Sequence, residues 1–257
     1  MNQKLAETTL SIDNPNKFFL QSIKEELEKP VQCVNGIITE LDAKNRYYVS
    51  LAYPIEHKPQ MAALVRESVS RVIAVSYKKK YLLEKIRISN DDLTTRTLIN
   101  TMCIFDSNLD GRSTTRMFDN IENIVIDGVY NFRSKNLRHK WDEIIELSNA
   151  NDVIFNNKSI VRDFLRFLLE AVPFVNKKLF AVLNYDGFEL FDEKNKRIVK
   201  QKFIYPNLSD EEILMYNIIC QKPRMLVFMG KIDMLSDEFR FLADYLFSAN
   251  YESLSNS

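Results

Sequence analysis

The stretch that most constrains this chain opens at Pro59 and runs to Ile86. Along it Met61, Leu64, Val65, Val69, Val72, Ile73 and Tyr77 recur at intervals of three and four residues, the spacing that lines one face of a helix. A helix of that length draws its stability from packing its apolar stripe against other elements rather than from propensity. The rest of the chain must therefore supply a core. With 257 residues, 46% of them hydrophobic, it can do so as one large globule or as two intimate ones. A content of 27% charged and 11% aromatic residues argues against wholesale disorder, with a tail expected only from Ser253.

The flanking segments differ in kind. Asn14-Pro15 followed by Phe18, Phe19, Ile23 and Leu27 predicts a capped helix ending at Pro30. Residues 31–34, 37–41 and 47–55 then predict three strands of an antiparallel meander, with Asn35-Gly36 and residues 42–45 as its turns. A shorter helix is expected over 93–105 and a loop over 107–115. Residues 119–150 admit two readings, because Ile124, Val125 and Ile126 before Asp127-Gly128 suit a strand entering a hairpin as well as a helix. Ile121, Ile124, Val125, Val129 and Phe132 fall on one helical face, and Leu137, Trp141, Ile144 and Ile145 extend a similar stripe, so helix is preferred. Another helix is expected over 159–171, with Ile160, Phe164, Leu165, Leu168 and Leu169 facing inward. Three short strands follow at 178–183, 188–191 and 196–204. Ser209 and Glu212 form a capping box for a helix through Cys220, residues 225–229 read as a buried strand, and Ser236 caps a last helix through Phe247.

The fold class expected is α+β: a helix and small antiparallel meander over 1–58, a helix-rich centre over 59–173, and a β-β-β-α-β-α unit over 174–252, forming one cooperative globule. Residues 1–20 lack the apolar core and cleavage site of a signal peptide, and no apolar run approaches the roughly 20 residues that span a bilayer. A cytoplasmic protein without a membrane span is the expectation. The cysteines, Cys33, Cys103 and Cys220, are three in number, far apart and among apolar neighbours, which predicts buried thiols.

Within 120–247 several strings carry a resemblance. Gly128-Val129-Tyr130-Asn131-Phe132-Arg133 is followed by a helix, residues 161–169 form an apolar helix, and Leu208-Ser209-Asp210-Glu211-Glu212-Ile213-Leu214 leads through a helix to the strand at 223–228. In these strings and their order the chain resembles the sporulation protein family YtxC of endospore-forming bacteria. Residues 1–118 match only as a mixed region followed by helices, and 107–115 departs from the pattern. The resemblance implies a process, sporulation, and a helix-rich middle; the family has no assigned catalytic residues to carry over.

The chemistry-bearing motifs are few. Lys plus Arg equals Asp plus Glu at 35 each, so no global field draws the chain to nucleic acid. Asp106, Asn108, Asp110 and Gly111 match the front of a helix-loop-helix calcium site, but Met117 stands where its bidentate glutamate belongs. No metal or other cofactor is expected. Arg133, Lys135, Arg138, His139 and Lys140 form a cationic run flanked by Tyr130, Phe132 and Trp141, suited to an acidic protein partner or a phosphate group. Lys78-Lys79-Lys80 reads as a solvated face. Gly230-Lys231 after a strand, with Ser236 capping the next helix, places backbone donors and Lys231 where anions bind in α/β units, though the phosphate-loop glycine and hydroxyl are missing. His57 and His139 stand outside any nucleophile or metal setting. The sequence thus favours a protein acting by interaction, with binding residues Arg133, Lys135, Arg138, Lys140 and Lys231; an enzyme or binder of a small anionic ligand built on the C-terminal unit is the alternative.

Overall fold

The computed structural model describes residues 4–86, 92–118, 121–149, 157–171, 175–201 and 205–252. The first half of the chain forms β1 (Leu5–Asp13), α1 (Lys17–Cys33), β2 (Ile37–Asp42), β3 (Arg46–Pro54), α2 (Lys58–Arg71), α3 (Lys78–Lys85), α4 (Leu93–Phe105), α5 (Ser107–Thr115), β4 (Asn123–Val125) and the single turn α6 (Ile126–Gly128). The second half forms α7 (Lys135–Asn149), α8 (Lys158–Glu170), β5 (Asn176–Asn184), β6 (Gly187–Asp192), β7 (Arg197–Ile198), α9 (Asp210–Gln221), β8 (Pro223–Gly230), α10 (Asp237–Leu246) and β9 (Ser248–Glu252). The fold is α+β, as expected. Two compact units share these elements: Met1–Leu82, Asp106–Ile144 and Ile204–Pro206 make one, and Leu83–Phe105, Ile145–Phe203 and Asn207–Ser257 the other. Each is assembled from separated segments, and the expected helical centre contributes to both.

The first unit is built on a four-stranded sheet of order β2-β3-β1-β4, with β1 antiparallel to β3 and parallel to β4. Alternation along β3 buries Tyr47, Val49, Leu51 and Tyr53, which face Thr8, Leu10 and Ile12 of β1 in register and pack under Phe19, Leu20, Ile23, Leu27 and Val31 of α1. The long helix that begins at Lys58 is present, but between α2 and α3 it widens into a π-helix over Val72–Tyr77, all six of whose residues are buried. The wider turn takes up an extra residue, so the chain leaves it with Tyr77 and Lys78 turned into the core.

The second unit holds a five-stranded sheet of order β7-β6-β5-β8-β9, an antiparallel meander continued by two parallel strands. The capping box at Ser209 and Glu212 is formed, and α9 and α10 make the two crossovers. Behind them α4 packs on α8, α9 and α10. As β8 ends, Gly230 lies at φ +91, where a Cβ would stand 2.5 Å from the Leu183 carbonyl oxygen.

Several expectations are corrected. Residues 5–13, given no element by the sequence, form a strand, β1, which pairs antiparallel with β3; no strand from 31–34 pairs with β2, which stands at the edge of the sheet. Residues 31–33 instead finish α1, with Pro30 inside the helix. Asn35-Gly36 is the cap of that helix and not a hairpin: Asn35 is left-handed at φ 55, and the Asn35 and Gly36 N–H groups return to the carbonyls of Gln32 and Val31. Residues 107–115 are helical rather than a loop. Residues 123–125 are a strand, because β1 offers them a parallel partner through Leu10 and Ile124 that a sequence window cannot contain. Of the strand expected over 196–204 only Arg197–Ile198 pairs, and residues 202–204 lie outside the described residues, as do Asp119, Asn120 and the tail from Ser253. On α8 the buried residues are Val161 and Leu165, with Ile160, Phe164, Leu168 and Leu169 half-buried. β9 was not anticipated. Cys33 is exposed, lying off the buried stripe of α1, while Cys103 is buried and Cys220 half-buried with its thiol pushed up to about 11 by burial.

Two outcomes follow. Alkylation of the folded protein at pH 8 should modify Cys33 alone, since a thiol reacts as its exposed thiolate; peptide mapping that finds Cys220 modified equally fast would contradict the packing around α9. Gly230→Ala should destabilise by about 1–3 kcal/mol, because a side chain must adopt a left-handed backbone against a carbonyl oxygen, as read from chemical denaturation.

Candidate functional site

The site is best built from Lys78 outward, at the start of α3. Its side chain is 0% exposed, so its ammonium has lost its water and must be matched by protein oxygens. Asp106 and Asp110 supply them: Lys78 Nζ donates to Asp106 Oδ1 and, at 3.4 Å, to Asp110 Oδ2. The same Asp110 oxygen accepts from Trp141 Nε1 at 3.0 Å, and Trp141 is fully buried, as its place in the stripe of α7 predicts. Asp106 immediately precedes α5 and Asp110 lies in its first turn, four residues on, so both side chains reach the same lysine. Thr114 and Thr115 return their hydroxyls to the carbonyls of Asp110 and Gly111. A polar string with a glycine is thus held as a helix. The acids that resembled calcium ligands serve as counterions to a buried lysine.

Aromatic rings surround this pair. Tyr77 and Tyr130 approach to 4.2 Å between centroids, Tyr81 lies 5.7 Å from Trp141, and the Tyr81 hydroxyl donates to Asp142 at 2.5 Å. Burial first, and then that hydrogen bond, raises the Tyr81 phenol to about 12. At the ends of β1 and β4, Arg46 pairs with Asp127 and Asp13 accepts from Asn16 at 2.9 Å. Lys79 is also buried, over the Tyr205 ring at 4.5 Å, and Lys80 donates to Asn16. The 78–80 lysines are therefore not the solvated face expected of them. Nothing in a cationic triplet announces burial; the signal lies in the apolar stripe running into it and in two acids spaced by four.

This framework presents the cationic run. With Asp106, Asp110 and Thr114 turned inward, Arg112 and Arg116 of the α5 region face outward and are exposed. Arg133 donates to the Met117 carbonyl at 2.5 Å, and the Ser134 hydroxyl lies 3.7 Å from Met117 Sδ. The end of α5 is thereby pinned beside the start of α7, where Lys135, His139 and Lys140 are exposed. Among the described residues no acid pairs with Arg112, Arg116, Lys135 or Lys140. Phe132 stands between the two cationic segments at 84% exposure. Arg138 differs from its neighbours: it is half-buried, donates to the Asn131 carbonyl at 2.6 Å and lies over the Tyr130 ring. It holds the turn before α7. The cations of α7 occupy its amino-terminal half, where the helix dipole disfavours positive charge, so helix stability does not explain them.

Lys231 belongs to the second unit. It is exposed beside the Tyr185 ring at 4.7 Å, and its backbone N–H returns to Leu183. The donors expected there for an anion are already engaged, because Glu211 accepts from both the backbone N–H and the hydroxyl of Ser236, at 2.6 and 2.9 Å. The chain's own carboxylate caps α10. Among the described residues no group of three or more His, Cys, Asp or Glu side chains is placed to hold a metal, and no helix is long and apolar enough to cross a membrane. No known protein family, curated protein or solved structure matches this chain.

Lys78→Met should cost about 3–5 kcal/mol, because it leaves the buried Asp110 carboxylate without its cation, whereas Lys140→Glu should stay within about 0.5 kcal/mol; urea unfolding distinguishes them. The phenols give a pH signature. Tyr47 and Tyr81 are both held near 12 against the ordinary 10. Above pH 10 the unfolded chain releases those protons while the folded chain retains them, so stability should be level to about pH 9 and fall between about 10 and 12. Unfolding free energies at pH 8, 9.5 and 11 check the sign.

Proposed function

We propose that the protein acts by binding, and that the outward cations of α5 and of the start of α7 receive an acidic segment of a partner protein. The observation that carries this reading is the segregation of charge in one small region. Asp106 and Asp110 are drawn inward onto Lys78, and Arg112, Arg116, Lys135 and Lys140 are left on the surface without acidic partners among the described residues. A chain that is neutral overall selects partners through such a local field, which acts on encounter rate and specificity more than on bulk affinity. Phe132 between the cationic segments offers the exposed aromatic contact from which interface hot spots are commonly built.

Sporulation is the process proposed for that partner, on the strength of the resemblance of residues 120–247 to the YtxC family. In an endospore-forming host that carries the gene, deletion should impair sporulation and leave vegetative growth intact. The Arg116→Glu, Lys135→Glu, Lys140→Glu variant should reproduce the defect while keeping its fold, because each site is exposed and each change shifts stability by about 0.5 kcal/mol or less. Normal sporulation in the deletion strain refutes the process. A defect in the deletion strain with normal sporulation in the folded variant refutes the surface. Arg133 and Arg138 are unsuitable for this test, since both also hold the chain through backbone carbonyls.

A further inference from the structure

The second unit carries a cavity that its sequence motifs did not indicate. It has a volume of about 230 Å³ and lies where the end of α8 and the end of α10 meet the amino ends of β8 and β9. Arg166, Lys222 and Arg224 supply three cations to its lining, and Glu170 and Asp244 two carboxylates. Arg166 is committed, 3.9 Å from Glu170 and stacked over the Tyr245 ring at 4.6 Å. Among the described residues Lys222 and Arg224 have no acidic partner. The net field in the cavity is positive.

The backbone that carries Lys222 at this open edge is fixed. Lys222 ends α9 in the left-handed conformation, φ 43, a place that favours glycine or asparagine. Its backbone is clamped there: its N–H returns to the carbonyls of Ile218 and Ile219, and its own carbonyl accepts from Val175. Asn176 secures the adjoining Gln221 carbonyl at 3.2 Å. Arg224 follows two residues later at the start of β8. A lysine at a helix carboxyl end also complements the dipole, so the weight falls on Arg224, which lines the same cavity. In parallel α/β units the ligand edge is ordinarily the carboxyl end of the strands; here Glu211 caps α10 at that end, and the open cavity is at the other.

We propose that this cavity binds a small phosphorylated hydroxy compound, of the size of a pentose phosphate. Lys222 and Arg224 would take the phosphate, the arginine fork matching two of its oxygens. Glu170 and Asp244 accept from hydroxyl groups, and the Tyr245 ring closes one side. The carboxylates select against a simple polycarboxylate, which would meet their repulsion, and the volume, below the roughly 300 Å³ at which pockets for drug-sized ligands begin, favours a compact ligand.

The test is calorimetric titration of the full-length chain with ribose 5-phosphate, inorganic phosphate and citrate in parallel. Ribose 5-phosphate should bind saturably and at least about tenfold more tightly than either of the others. Lys222→Asn with Arg224→Gln should weaken it by about tenfold or more, and Lys231→Gln, on the opposite edge, should leave it unchanged. Asparagine keeps a residue suited to the left-handed cap, and thermal unfolding of the unliganded variant checks that it folds. Absence of saturable heat up to about 10 mM ribose 5-phosphate, equal binding by the double variant, or tighter binding of citrate would each overturn the assignment.

Discussion

One buried ammonium organises the first unit. Removing Lys78 from water is worth doing only if its charge is met, since an unmatched ion in a packed interior costs several kcal/mol. The match comes from two carboxylates, Asp106 just before α5 and Asp110 in its first turn, and the demand for satisfaction extends to Trp141, whose indole N–H closes on Asp110. Three segments distant in sequence are thereby tied: the π-helical passage that aims Lys78 inward, α5, and α7. Because such a pair is strongly destabilising to break but of little net benefit over apolar packing, its effect is best understood as fixing which faces of α5 and α7 point in. The faces that point out carry arginine and lysine.

The same logic of satisfied charge distinguishes the two ends of the second sheet. At the carboxyl end, Gly230 lets the chain pass close to Leu183, and Glu211 then occupies the hydrogen-bond donors of Ser236. At the amino end, Lys222 and Arg224 stand at a cavity with their charge unmatched by the described residues. Overall neutrality therefore conceals local imbalance: around α5, Asp106 and Asp110 are engaged by Lys78 while Arg112 and Arg116 face outward, and in the second unit Glu211 is engaged at a helix cap. The proposed binding role rests on that distribution.

Elements whose evidence is contained in a short window were legible. The capping box at Ser209 and Glu212, the Ser236 cap, the helical run from Pro59 and the stripe through Leu137, Trp141 and Ile145 all depend on contacts within a few residues or on one periodicity. The strand over 123–125 was not legible, because three residues become a strand only when Leu10 is beside Ile124. Asn35-Gly36 suits a hairpin and a helix cap equally; that α1 continues past Pro30 decides between them. Of the site residues, Lys135 and Lys140 lie on the surface as their charge suggested, Arg138 is drawn under by the Tyr130 ring, and Arg112 was passed over because its segment read as a loop.

By itself the sequence determined an α+β fold, the long helix and most of its successors, since periodicity and capping are written locally. Tertiary structure alone decided which charges are buried. A lysine in a cationic triplet and two aspartates in a polar string carry no mark of their fate; desolvation falls on them only when packing brings them together, and only then does each require the other.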